Sequence, residues 1–235
     1  MRATSLAASR NRLLASLSEE EGALLRADLE PVGLDLRQRL EQPNRPIRHV
    51  YFPESGLGSV VALGGPDRQA ESGLFGREGM SGLAVVLGGD RAPNDTFMQI
   101  EGAGRRIAVA PLREALATSP TLRLSLLRYV HVCMVQMAQT ALSNARARLD
   151  ERLARWLLMC RDRLDPGEMP LTHEFVALML GVRRAGVTEA LHDLKRRGLI
   201  STHRGSIEVE DRAGLMRAAN GSYGLPESEY ARLIG

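Results

Sequence analysis

Apolar residues fall into three successive spacings along this chain, and each spacing predicts a different kind of element. From Asn11 to Leu40 the leucines Leu13, Leu14, Leu17, Leu24, Leu25, Leu29, Leu34, Leu36 and Leu40 recur at roughly helical intervals. Ser18 followed by Glu19, Glu20 and Glu21 is a helix-start signal, because the bare amides of a first turn favour anionic neighbours. Pro31 must break or restart that run. From Pro43 to Pro111 short apolar runs (HVYF, SVVAL, LAVVL, FMQI, IAVA) alternate with the separators PESG, GGPD, GREG, GGDRAPND and EGAG. Short strands at regular spacing predict a small antiparallel barrel or sandwich. From Ser119 the glycines stop, and Pro120 is placed to open a helix. Leu127, Val130, Met134, Met137 and Ala141 then step by three and four residues, a heptad seam that predicts either a dimer interface or an intrachain packing face. A second helix is expected over Arg146–Leu164, with Leu149, Leu153, Trp156, Leu157 and Cys160 on one face, ending at Asp165-Pro166-Gly167.

The segment from Leu171 to Asp211 combines a helical period with a hairpin. Thr172 can cap a helix from His173 to Leu180, Gly181 stops it, and Val182-Arg183 leads into a second helix that ends near Arg197-Gly198. Two short helices joined by a glycine turn make a helix-turn-helix. Ala177 is small where the helices would cross, and Val176, Leu180, Val187 and Leu191 supply apolar contacts between them. Gly186 is unusual inside a helix, where it costs about 1 kcal/mol relative to alanine. The runs LIST and IEVED flank a turn at Arg204-Gly205, which predicts a β-hairpin wing.

Charge sharpens this picture. The chain of 235 residues carries a formal net charge of +3, with 44% hydrophobic and 25% charged residues, the composition of an ordinary folded protein. Six basic residues between Arg183 and Arg204 stand against only Glu189 and Asp193. Such a cluster on a helix-turn-helix is the footprint of phosphate binding. Side chains at the start of a recognition helix reach base edges, so Arg183, Arg184, Thr188 and Glu189 are the candidate base readers. The helix end and wing reach the backbone, which makes Thr172, Lys195, Arg196, Arg197, His203 and Arg204 the candidate phosphate contacts. The alternative is a small-molecule-binding or protein-interaction module whose winged helix packs on a protein partner.

Other chemistry is poorly represented. No P-loop, nucleophile elbow or metal-ligand spacing is present, so an enzyme is not expected and neither is a metal site. Cys133 and Cys160 exclude a disulfide scaffold and read as buried free thiols. Arg2, Arg10 and Arg12 precede no uninterrupted apolar stretch, and no run approaches a membrane span, which predicts a cytoplasmic protein without membrane attachment.

Three segments carry a family resemblance: NARARLDERLARWLL, LTHEFVALMLGVRRAGVTEALHDLKRRGLI and GSIEVEDRAGL. In these the chain resembles the Crp/Fnr transcription regulators. The resemblance implies an α+β fold: an N-terminal antiparallel, jelly-roll-like β-roll, a long dimerisation helix and a C-terminal winged helix-turn-helix. The corresponding divisions are residues 11–118 for a sensor-like roll with N-terminal helices, 119–146 for the dimerisation helix, 147–212 for the DNA-binding unit, and 213–235 for a tail. It also implies a homodimer on palindromic double-stranded DNA, with RNA polymerase as a further candidate partner.

Arg184 matches an arginine of the family's recognition helix, whereas Ala185 and Glu189 stand where a glutamate and a second arginine are usual. The half-site of the family therefore does not transfer. In the sensor, Ser81-Gly82-Leu83 replaces the Gly-Glu-Leu of cyclic-nucleotide-binding members, and Pro93-Asn94-Asp95 falls near their basic pair. Arg91 beside Asp90 is the remaining candidate for a phosphate, and the pattern argues against a cyclic nucleotide. No cysteine precedes Cys133, which argues against an iron–sulfur cluster. No cofactor is predicted, an unidentified effector is left open, and so is haem ligation through His49 or His131.

Overall fold

The computed structural model describes residues 6–65, 68–167 and 169–235. Arg2 and the Pro66-Asp67 pair of one separator lie outside the described residues. After a short 3-10 turn at Leu6–Ala8, two helices follow, α1 (Arg12–Ala15) and α2 (Glu19–Arg26). Ser18 and Glu21 form a reciprocal capping box that starts α2. The helical reading then fails. The chain from Leu29 to Leu40 makes strands β1 (Glu30–Leu34) and β2 (Arg39–Glu41) rather than a helix. Pro31 is tolerated because β1 is an edge strand paired only with β7, where a missing amide costs no ladder bond on the open side.

The roll is completed by β3 (His49–Pro53), β4 (Leu57–Leu63), β5 (Gln69–Phe75), β6 (Asp95–Ile100) and β7 (Gly102–Ala108). Two antiparallel sheets result, ordered β1-β7-β3 and β2-β6-β4-β5. Leu34, Leu40, Tyr51, Phe75 and Met98 are buried together within the roll. One expected strand is absent: LAVVL forms helix α3 (Leu83–Val86). Gly82 adopts φ 77°, and this left-handed step turns the chain out of extended geometry and into the helix.

Helix α4 (Val109–Thr118) leads into α5 (Pro120–Arg146), whose first turn is capped by Ser119 and carries Pro120. The break at Ala147 separates α5 from α6 (Leu149–Arg163). The helix-turn-helix is α7 (His173–Leu180) and α8 (Arg184–Arg196), followed by wing strands β8 (Ile200–His203) and β9 (Ser206–Val209). Helices α9 (Arg212–Ala218) and α10 (Leu225–Leu233) end the chain. Helix α10 folds back on α5, so the tail of the sequence is built into the same body.

Burial ties the parts together. Leu57, Val61, Leu74 and Ile100 of the roll share one apolar core with Trp156, Leu157 and Cys160 of α6 and with Val176, Val187 and Leu191 of the helix-turn-helix. The first half of α5 belongs to a second core with the N-terminal helices, through Leu122, Leu126, Tyr129 and Val130. No helix among the described residues is long and apolar enough to cross a membrane.

Candidate DNA interface and sensor cavity

Local chemistry builds the surface that the sequence predicts to face DNA. Thr172 caps α7, its hydroxyl accepting from the Phe175 amide at 3.2 Å. Gly181 ends α7 at φ 62°, and an added Cβ there would lie 3.3 Å from Ala70 of β5. At Gly186 an added Cβ would lie 3.0 Å from Leu149 Cδ2, a tight contact with the end of a flexible side chain. The inner face of α8 buries Val187, Ala190, Leu191 and Leu194, which leaves the opposite face to solvent.

That outer face carries Arg184, Thr188 and Glu189, all exposed. A groove beside it is lined by Thr172, His173, Arg184, His203, Arg204 and Gly205. The start of α7, the start of α8 and the wing tip therefore converge on one concave surface. Thr188 is held in place, its hydroxyl donating to the Arg184 carbonyl at 3.1 Å and lying 3.0 Å from His173 Nδ1. The sequence reading missed His173, whose bridge between the two helices depends on their crossing.

Other candidates are placed differently. Arg183 is the N-cap residue of α8 and lines a separate groove with Leu63, Gln69 and Ala70 of the β4–β5 hairpin. It is not brought to the wing-side groove with Arg184. Thr172 does line that groove, and its hydroxyl accepts as a helix cap, an arrangement that does not use its own proton. Lys195 donates to Thr202 of the wing at 3.2 Å, while Arg196 and Arg197 both pair with Asp193. One carboxylate thus offsets part of the charge of the three basic residues at the end of α8.

On α5 the expected seam divides. Val130 is buried in the chain's own core, and Met137, half-buried, lines a pocket that Met134 also borders. Met134 is 63% exposed, and Leu124 and Leu142, at 50% and 55%, extend its face along the helix. Leu127, half-buried, and Ala141, exposed, lie on the same side. The apolar stripe left open runs through Leu124, Leu127, Met134, Ala141 and Leu142, so Val130 is corrected from interface to core. Gln136 is a polar residue that the apolar pattern could not reveal. It is buried and clamps α5 to β5, accepting from the Leu74 amide at 2.8 Å and donating to the Leu74 carbonyl at 3.1 Å.

Between the four-stranded sheet, α3 and α5 lies a cavity of about 250 Å³. Leu74, Phe75, Met80, Leu83, Val130 and Met137 give it a mainly apolar wall. Its one arginine, Arg91, has Nε 3.2 Å from Asp90, and a second nitrogen donates to the Asn44 carbonyl. The buried Glu41 carboxylate accepts from the Gly82 amide at 2.6 Å, and burial raises its pKa. His49 sits on β3 near Tyr51 and His131 on α5 near Glu229, on separate elements. The described residues contain no cluster of three or more metal-ligating side chains.

A polar cluster joins the roll to the DNA-binding unit. Trp156 Nε1 donates to Glu71 Oε1 at 2.7 Å, and Ser59 Oγ lies 2.7 Å from Glu71 Oε2 and 2.6 Å from Gln99 Oε1. Burial pushes the Glu71 pKa up to about 7, against the two hydrogen bonds that favour its charged form. A buried pair between Arg163 of α6 and Glu78, 2.6 Å apart, makes a second link.

Residues 151–218 match the Crp-like helix-turn-helix domain family. That segment carries a Crp-like helix-turn-helix domain, and the chain as a whole resembles the Crp/Fnr transcription regulators. The match assigns a helix-turn-helix of DNA-binding type to this part of the chain. A global nitrogen regulator of Nostoc sp. is 25% identical over 186 residues, covering 74% of this chain and 82% of that protein. Among solved structures, FixK2 from Bradyrhizobium japonicum superimposes with a TM-score of 0.68 at 18% identity, covering 81% of this chain and 96% of that one. TTHB099, a Crp-family transcriptional regulator from Thermus thermophilus, gives 0.67 at 22% identity, covering 82% and 98%. A Crp/Fnr-family regulator structure from Eubacterium rectale gives 0.65 at 18%, covering 89% and 98%. At these identities the likeness is one of fold, and it spans both the roll and the winged helix.

Proposed function

We propose that this chain is a transcription regulator that binds palindromic double-stranded DNA as a homodimer, paired through the exposed stripe of α5. The observation that carries the reading is the groove where Arg184, His203 and Arg204 meet beside the exposed face of α8. Arg184 and Glu189 enter the major groove as base readers, Thr188 supports them, and Arg204 and His203 lie on the phosphate backbone. The α5 stripe of Leu124, Leu127, Met134, Ala141 and Leu142 supplies the apolar surface that two copies can share.

The effector reading rests on the cavity beneath α5. Its wall is mainly apolar and its single arginine is turned to Asp90 and Asn44. This chemistry suits a small apolar effector better than a cyclic phosphate, which requires buried cationic or amide donors. Selection of bound duplexes from a random pool tests DNA binding and dimer symmetry together. An enriched inverted repeat with half-sites about one helical turn apart is the expected result. Recovery of no sequence above the input pool sinks the reading.

A further inference from the structure

Helix α10 closes a second cavity that DNA recognition does not use. The space, about 280 Å³, lies between α5, α6, the C-terminal helices and Arg12. Most of the charge around it is internally matched. Arg163 pairs with Glu78, and Arg212 pairs with Asp162, which also accepts from the Tyr223 hydroxyl. Among the described residues, three groups are left over. The Arg12 guanidinium stands over the Tyr230 ring at 4.9 Å and has no ion pair among the described residues. Glu227 accepts from the Gly224 amide through Oε2, while its buried Oε1 has no hydrogen-bond partner. Tyr230 is only 6% exposed, and its hydroxyl is buried without a partner.

An unpartnered buried hydroxyl and carboxylate oxygen are costly, so native proteins satisfy them with a protein group, water or a ligand. One or two waters would need only a small fraction of this volume. The size approaches that of small-molecule pockets, and aromatic walls with a few convergent polar groups are their usual lining. Arg155 and Arg163 act on Glu227 at longer range, but its Oε1 is without a hydrogen bond, and it and Arg12 are of opposite sign. A simple cation would leave Arg12 unmatched, and a simple anion would face Glu227.

We propose that this cavity binds a small zwitterion of amino-acid type. Its ammonium group donates to Glu227 Oε1, its carboxylate faces Arg12, and Tyr230 supplies a further hydrogen bond. The apolar part of the ligand rests against Tyr129 and Val132 of α5. The occupant touches Arg12 from the N-terminal region, α5, and α10 from the end of the chain. It therefore fastens α10 onto the helix proposed to pair the two subunits.

Calorimetric titration and thermal melts of the full chain test this, with the proteinogenic amino acids as probes at up to about 10 mM, a range that still detects weak ligands. At least one amino acid should bind saturably and raise Tm. Its decarboxylated amine and its deaminated acid should each bind at least about tenfold more weakly, as should the ligand to Glu227→Gln and to Arg12→Ala. Arg91→Ala, in the other cavity, should bind as the wild type does. Arg12 is exposed, so its variant keeps the test intact if Glu227→Gln does not fold. Absence of saturable binding by every amino acid overturns the proposal. So does wild-type affinity in Arg12→Ala, or equal binding of the amine or acid analogue.

Discussion

Arg184 and Arg204 face one groove from different elements, so their losses should be felt differently. Arg184 opens α8, where a guanidinium can bind guanine O6 and N7 together. Arg184→Ala should cost about 1–3 kcal/mol on the selected operator and much less on random DNA. Arg204 is at the wing tip. Arg204→Ala should weaken both DNAs alike and lower the slope of log affinity against log salt by about one per subunit. Fluorescence anisotropy on the two DNAs across a salt series reads both effects, and identical behaviour of the two variants contradicts the docking. Glu71 gives a second prediction at this scale. Its folded pKa of about 7 lies above the ordinary 4.5, so the native state holds a proton that the unfolded chain releases earlier. That contribution is fully present below pH 4.5 and is lost as pH rises through 7. Urea melts should show the wild type losing stability across this window relative to Glu71→Gln. Parallel pH profiles of the two proteins would remove Glu71 as the cause.

Among the elements, the α7–α8 turn is set by backbone geometry. Gly181 stands at φ 62° with Ala70 close by, so Gly181→Val adds both left-handed strain and a clash. The expected loss is about 1–3 kcal/mol from strain alone, read as a fall in urea midpoint. An unchanged midpoint would mean that the turn relaxes freely. The helix-turn-helix and wing were legible because their signals are local: a cap at Thr172, a stop at Gly181, a hairpin at Arg204-Gly205. The segment from Leu29 to Leu40 was misread because its leucines satisfy a helical spacing, while pairing with β7 and β6 holds it extended. LAVVL was misread for the converse reason. Its residues favour strand, yet Gly82 redirects the chain and Val85 and Val86 find burial as a helix.

For the whole molecule, the open stripe on α5 makes subunit pairing testable. Met134→Asp places a charge at a site that is 63% exposed in the single chain, so folding should survive while association does not. Sedimentation at micromolar concentration should give a dimer for the wild type and a monomer for the variant. A dimer that ignores the substitution moves the interface elsewhere. The link between roll and DNA-binding unit is internal by contrast. Arg163 and Glu78 are a buried pair, and Arg163→Met leaves a buried carboxylate uncompensated. The expected cost is about 3–5 kcal/mol in denaturant unfolding, and a loss well below that range would show that Glu78 is reached by water.

The sequence by itself determined the elements whose information is short-range: the capped helices, the glycine turn, the wing, and the basic surface that marks a DNA binder. It also determined that α5 carries an apolar repeat, because a period is a property of the chain alone. Only the tertiary structure decided which part of that repeat stays open. Val130 turns inward because the N-terminal helices and roll pack against it, and Met134 remains mostly outside because no element among the described residues covers it. The same holds for Gln136, Glu71, Arg163 and Tyr230, whose partners lie dozens of residues or more away in sequence. Pairing over such separations leaves no local pattern, because what selects each residue is the one group it meets after folding.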